Sequence, residues 1–422
     1  MRMNSHRHLF ALLIAALFSL PISGWAQHES DEQQGDTTHS EGMVEHAGSS
    51  HEEGHATFDP TATALHHIAD ANVFTILDFI RIPLPMILYS QDDGLDVFSS
   101  GRFHPGEHDN GEYAFHRYVM FEGNVHRVKD WSFPNDLVEI GPHSFTERIV
   151  DNDEVVYLNY QGQEYPLDHR STLDNGLFGG KITSFYDFSI TKNVLTMILV
   201  AIILFWLFRQ AAVGYTRREG KAPSGVQSWL EPVFTFIRDE VAIPFIGKDR
   251  YLKYIPLLMS LFFFILGLNL FGQIPFLGSA NVTGNLTVTG ILAILVFLVV
   301  TFSGKKHYWQ HIFWMPGVPV FVKPLLAFVE FMGVFIKPLT LMLRLAGNIV
   351  SGHIAILSFI GLIFIFGKAG ESMGGSLVGT AMSVPLTMFM MAIELIVAFV
   401  QAFVFTILTA SYIGAAIEDG HH

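Results

Sequence analysis

Cysteine is absent from the 422 residues, which excludes disulfides and thiolate metal sites alike. Charge is scarce, at 15% of residues against 50% apolar, a balance that points to a membrane chain carrying some soluble mass. Lys and Arg are missing from residues 28–60, which hold nine acidic residues and five histidines. Much of the net charge of −14 comes from that segment, and the acidic balance argues against nucleic-acid binding. Residues 254–304 contain no charged side chain, and none appears between Arg344 and Lys368. A phosphate-binding loop is lacking too. Gly179-Gly180-Lys181 has Asn175 at the first glycine position of that motif and Ile182 after the lysine. No nucleotide site is therefore expected in this chain.

What is present falls into four parts. Arg2 and Arg7, an apolar stretch at 9–20 and Gly24-Trp25-Ala26 form the pattern of a secretory signal over residues 1–26, its core too short to span a bilayer. Residues 27–60 read as an acidic, His-rich disordered linker. Its histidines suit a solvated tail better than a metal site, since no ligand spacing recurs. Residues 61–187 have the composition of a small β-rich periplasmic domain. Asp109-Asn110-Gly111 and Asn175-Gly176 are turn signals, and 113–121 and 155–160 are β-leaning runs. His104, His108, His116 and His126 are expected to be ordinary polar positions, and no role for this domain is legible.

Residues 188–422 are membrane-spanning. Residues 193–208 carry no charge and end at Arg209, Arg217, Arg218 and Lys221, so a span near 190–209 enters from outside with its basic end in the cytoplasm. Residues 227–246 place Leu230, Phe234, Ile237 and Val241 at helical spacing and suggest an amphipathic helix lying on the surface. The uncharged stretch 254–304 holds two spans, near 254–271 and 287–303, with a turn at 272–287. Two long helices close the chain, at 323–366 and 376–416. At 1.5 Å per residue they measure about 66 and about 61 Å against a hydrocarbon core of about 30 Å. They must be strongly tilted or broken, and Pro338 and Pro385 permit a bend. The fold class expected is an all-α membrane protein of about five crossings, with a long tilted hairpin, plus the β-rich soluble domain. The C-terminus is then cytoplasmic.

Lys323, Glu330, Lys337 and Arg344 recur every seven residues, about 20° short of two helical turns, and so form one drifting stripe. Arg344 is the deepest, and a charge in hydrocarbon costs about 3 kcal/mol or more, which marks it as functional. Asn348 lies on nearly the same face, and Gly347, Ser351 and Ala355 form a row of small residues suited to close helix approach. His353, nine residues past Arg344, points to the opposite side. The other long helix carries Glu394 alone between Glu371 and Glu418, with Gln401 two turns on. A lone carboxylate and a lone imidazole on two apolar helices are the material of a proton relay.

From about Phe185 onward the chain resembles subunit a of the F-type ATP synthase family, the membrane stator facing the rotor ring. The resemblance is carried by Lys337-Pro338, by Leu343-Arg344-Leu345-Ala346-Gly347-Asn348, by Gly352-His353, and by Glu394 through Gln401-Ala402-Phe403 to Leu408-Thr409. Asn269-Leu270-Phe271 with Pro275, and Asn281-Val282-Thr283, match the family's preceding hairpin. The resemblance implies that Arg344 is the essential arginine between two aqueous half-channels, facing a carboxylate on the rotor. Asn348, His353, Glu394 and Gln401 would line the outer half-channel, with Glu330 and Lys337 towards the cytoplasmic path. It implies no cofactor and no bond chemistry in this subunit. The partners implied are the ring of subunit c, the peripheral-stalk subunit b and the rest of the synthase, in the lipid bilayer of a bacterial inner membrane. Two departures stand out. The acidic residue of some members near the outer end of the second span is replaced by Gly272 and Gln273, and everything before about Asp187 lies outside the common pattern. A self-contained ion-coupled transporter is the alternative, though no internal repeat supports it.

Overall fold

The computed structural model describes residues 70–76, 80–106, 109–141, 144–150, 153–172, 182–218, 220–274, 281–315, 317–367 and 372–418. The signal, the linker, His108 and Asn175-Gly176 lie outside them. The β-rich region is built of short antiparallel strands. They are β1 (Val73–Ile76), β2 (Ile80–Pro83), β3 (Pro85–Ser90), β4 (Gly94–Ser99), β5 (Tyr113–Ala114) and β6 (Tyr118–Phe121). There follow β7 (Asn124–Val128), β8 (Val138–Glu139), β9 (Phe145–Val150), β10 (Asp153–Tyr160), β11 (Gln163–Asp168) and β12 (Phe185–Asp187). They form a five-stranded sheet in the order β6-β7-β11-β10-β9, a three-stranded sheet β12-β3-β4, and the pairs β1-β2 and β5-β8.

The run expected at 113–121 is two strands rather than one. Phe115 and Tyr118 exchange backbone hydrogen bonds of 2.9 and 2.8 Å, closing a two-residue turn in which His116 and Arg117 both have positive φ, 50° and 64°. Such turns favour Asn-Gly, so His-Arg gives no turn signal. Tertiary contacts hold it instead: His116 Nδ1 lies 2.9 Å from Asp96 Oδ1, and buried Arg117 donates to Asp93. Arg127 donates to the same carboxylate.

Helix α1 (Lys192–Arg217) follows β12 directly. Its first turn is capped by Asp70, whose Oδ1 accepts from the Asn193 N–H at 3.2 Å. Next come α2 (Val226–Phe236), α3 (Tyr251–Gly272), α4 (Leu286–Ser303), the short α5 (Lys306–Phe313), α6 (Lys323–Phe366) and α7 (Met373–Ile417). Five of these, α1, α3, α4, α6 and α7, are long and apolar enough to cross a membrane. Helices α6 and α7 run unbroken through Pro338 and Pro385.

The amphipathic reading of 227–246 applies to part of its length. After α2 the chain makes a π-helical turn over Ile237–Ala242 before returning to α-helix at Ile243–Ile246. Leu230 and Phe234 stay partly exposed, whereas Ile237 and Val241 are fully buried. The wider turn re-aims the apolar stripe, so the second half enters the core instead of lying on the surface. That core gathers on α3: Leu258, Phe262 and Ile265 pack with Leu292 and Val296 of α4, Leu341 and Leu345 of α6, and Phe405 and Ile413 of α7. A second cluster ties the β-rich region to the helices, with Phe74 and Leu84 against Met197, Val200, Leu268, Phe271, Val282 and Val288.

Candidate functional site

Helices α6 and α7 form an antiparallel pair, and near its middle His353 Nδ1 lies 2.7 Å from Glu394 Oε1. The Glu394 side chain is 5% exposed and that of His353 15%. Glycine makes this approach possible. A Cβ at Gly352 would stand 2.8 Å from Glu394 Oε1, inside the contact limit. Amide side chains on α3 and at the residue that follows it steady the other side of Glu394. Gln273 Nε2 donates to the Glu394 carbonyl at 2.8 Å, and Asn269 Nδ2 to the Ala398 carbonyl, one turn later, at 3.2 Å. Thr283 in turn donates to Asn269 Oδ1 at 2.7 Å. A pocket opens here, lined by Asn269, Gln273, Asn281, Thr283, His353 and Glu394. Gln273 is thus bonded to the backbone of the very helix that carries Glu394.

A second pocket lies towards the start of α6, lined among others by Tyr308, Val334, Lys337, Pro338 and Tyr412. Lys337 Nζ stands 5.4 Å from the centre of the Tyr412 ring, and Lys323 Nζ 4.4 Å from that of Trp314, both within cation–π range. Glu330, half-buried, lies between Lys323 and Lys337 on α6.

Arg344 belongs to neither pocket. It follows Lys337 by seven residues and precedes His353 by nine, about 10 Å and about 13 Å along the helix. Its neighbours Leu345 and Ala346 are buried, Arg344 itself is half-buried, and Gly347 and Asn348 are exposed. Among the described residues Arg344 makes no hydrogen bond and no ion pair. Asn348 therefore shares the open side with Arg344, while His353 faces α7. Gln401 is buried two turns beyond Glu394 and makes no hydrogen bond among the described residues.

Sequence reasoning assigned no part to Asn269, Gln273, Asn281, Thr283, Tyr308 or Tyr412. Their signal was present for the first four, as isolated polar residues in the uncharged stretch 254–304. Their convergence on Glu394 depends on how α3 packs against α7.

The sequence profile described as "ATP synthase A chain" matches residues 194–414, and a profile described only as a domain of unknown function matches residues 63–174. The chain is 36% identical over 263 residues to the ATP synthase subunit a of Anaeromyxobacter dehalogenans, covering 60% of this chain and 63% of that one. It is 37% identical over 243 residues to that of Myxococcus xanthus, covering 56% and 75%. Over 254 residues it is 37% identical to ATP synthase subunit a 2 of Chlorobaculum tepidum, covering 56% and 67%. In the Anaeromyxobacter case the aligned part thus spans a little under two thirds of the relative. With the matched segment taking in all five long apolar helices and both pockets, the chain belongs to the ATP synthase A chain family.

Proposed function

We propose that this chain is the proton-translocating stator subunit of a rotary F-type ATP synthase in a bacterial inner membrane. Its β-rich region faces the periplasm and its C-terminus the cytoplasm. The observation that carries this reading is the placement of Arg344. It is an unpaired guanidinium on an apolar helix, flanked along that helix by the pocket of His353 and Glu394 and by the largely apolar pocket that holds Lys337 and Tyr412, and sharing its open side with Gly347 and Asn348.

In this mechanism the pocket of His353 and Glu394 is the outer half-channel. Protons reach the rotor carboxylate through Asn269, Gln273, Thr283 and the His353–Glu394 pair, with Gln401 and Asn348 nearer the rotor. The pocket of Lys337 and Tyr412, with Glu330 beyond it, belongs to the cytoplasmic half-channel. Arg344 stands between them and attracts the ionised rotor carboxylate, and its permanent charge keeps protons from crossing directly between the half-channels. The ring of subunit c turns because loading and unloading occur on opposite sides of that charge. Subunit b and the catalytic part of the synthase complete the partners, and this chain makes and breaks no covalent bond itself.

Arg344→Ala tests the reading. ATP-driven acidification of inverted vesicles should fall to background with the complex fully assembled, and Arg344→Lys should fail as well, because an ammonium lacks the guanidinium's fixed fork. Near-normal pumping in Arg344→Ala would overturn it. Purification separates it from a self-contained transporter, which would come away without a ring of hairpin subunits.

A further inference from the structure

The two faces of the sheet β12-β3-β4 differ sharply in composition and burial. Inward lie Met86, Leu88 and Phe185, all fully buried. Outward, the register sets Tyr186, Tyr89 and Leu95 in one row. Ile87 and Val97 form the next row, which Phe188 joins by donating its N–H to the Ile87 carbonyl at 2.8 Å. Neither row contains a charge. Leu95 is 63% exposed and Val97 64%, and both belong to β4, the edge of its sheet. Edge strands facing water are ordinarily guarded by charge, and an uncharged outward patch of this kind marks a contact surface.

The first span indicates what covers it. Strand β12 ends at Asp187 and α1 begins at Lys192. The apolar part of α1, residues 193–208, gives about 24 Å of helix, short of the hydrocarbon thickness of about 30 Å. Arg209 fixes the far boundary, so about 6 Å of hydrocarbon extends past Asn193 on the side of the β-rich region, and the headgroup layer adds about 6 Å more. Residues 188–193 span at most about 17 Å when fully extended. A strand inclined by about 45° or more from the bilayer normal therefore holds the Phe188–Ile87–Val97 row within the headgroup layer and brings the Tyr186–Tyr89–Leu95 row close to its outer edge, where tyrosine is enriched. Two charges beside the start of α1 are turned inward: Asp70 is 6% exposed and Lys192 8%. Leu84, at the entry to β3, packs on Met197, Val200 and Phe271, so the sheet is fixed to the helix ends and does not swing clear.

We infer that this face of the sheet rests in the lipid headgroup layer beside the first span. The β-rich region is a collar seated on the bilayer, and its occupant is lipid rather than a protein partner. The absence of charge makes the contact independent of anionic lipid.

Because the chain has no cysteine, single cysteines report position directly. Leu95→Cys, Val97→Cys and, on a different sheet, the exposed Gln163→Cys are each labelled with a nitroxide in the full chain, reconstituted in phosphatidylcholine vesicles. All three positions are exposed, so folding is spared. Collisions with oxygen relative to those with a water-soluble nickel chelate should be several-fold more frequent at 97 than at 163, with 95 between them. Equal ratios at all three positions would show the face in water. Protection of 95 and 97 from both reagents would show protein covering it. Either result overturns the inference.

Discussion

Arg127 and Arg344 carry the same guanidinium into surroundings of low polarity, and the chain treats them in opposite ways. Arg127, 1% exposed, donates to the Ser184 carbonyl at 3.0 Å, shares the Asp93 carboxylate with Arg117 and lies 5.7 Å from the Tyr118 ring centre. Both of its terminal nitrogens are engaged inside the β-rich region, where Asp92 stands 3.6 Å away as a second carboxylate, although the Arg127 Nε is buried without a partner among the described residues. Arg344 has no such partner among the described residues and keeps one side open. Removing a partner from a buried charge held by ion pairs within its own chain destabilises the fold. One left unpaired within an apolar helix is free to meet a group outside the chain, as the proposed function asks of Arg344.

Exchanging the two outcomes is the strongest test. Arg344→Ala should abolish pumping and leave the unfolding of the chain unchanged. Asp93→Ala should do the reverse. It strands buried Arg117 and leaves Arg127 with Asp92 at 3.6 Å as its remaining carboxylate, at a cost of about 3–5 kcal/mol, lowering the urea concentration at which the β-rich region becomes protease-sensitive, while the hairpin still pumps wherever the subunit assembles. If Asp93→Ala left that midpoint unmoved, the three-way cluster would not be what holds the region.

A smaller change probes the open side itself. A Cβ at Gly347 meets nothing within 4 Å, so Gly347→Leu is tolerated by this chain. Pumping should nevertheless drop about tenfold or more, because a leucine there obstructs the close approach of a partner helix that small residues permit. Unchanged pumping would mean that this side faces lipid and not a rotor.

Much of this was legible in the residues. The limits of α6 follow from Lys323 and the charge-free run after Arg344, and the opposed directions of Arg344 and His353 follow from nine residues at 100° each. In the β-rich region the turn at His116-Arg117 was hidden, because long-range bonds to Asp96 and Asp93 stabilise a backbone that neither residue favours. The burial of Ile237 was hidden as well, since a π-turn breaks the 3.6-residue count on which periodicity rests. The amides of Asn269 and Gln273 announce themselves as polar, but the carbonyls that they reach belong to a helix more than a hundred residues away.

The His353–Glu394 contact gives the next test. His353→Glu or Glu394→His alone places two like groups 2.7 Å apart, and each should slow pumping. The double exchange restores one carboxylate and one imidazole and should recover more activity than the product of the two single losses. Strictly multiplicative losses would show that the two side chains act independently.

Histidine offers the same comparison on a finer scale. In the hairpin an imidazole meets a carboxylate, whereas in the β-rich region His126 meets another imidazole. Its Nε2 is 3.2 Å from His169 Nδ1 and its Nδ1 3.3 Å from the Asn124 carbonyl. Burial, with His169 second, pushes the His126 pKa down to about 3, and the bond to Asn124 opposes this only in part. The unfolded chain takes up this proton below about pH 6.5, and the folded one does not until about pH 3. His126 therefore contributes its full share of stability above pH 6.5 and loses it as pH falls through that window, at up to about 1.4 kcal/mol per pH unit. Acidification from pH 6.5 to 4.5 should lower the urea midpoint of the β-rich region in the wild type more steeply than in His126→Gln, which keeps the polar contacts but has no proton to gain. The carboxylates titrate in both proteins, so the difference between the two curves isolates the imidazole. Parallel curves would mean that His126 is protonated in the fold despite its burial, and that the pair with His169 is held by a shared charge instead of a neutral hydrogen bond.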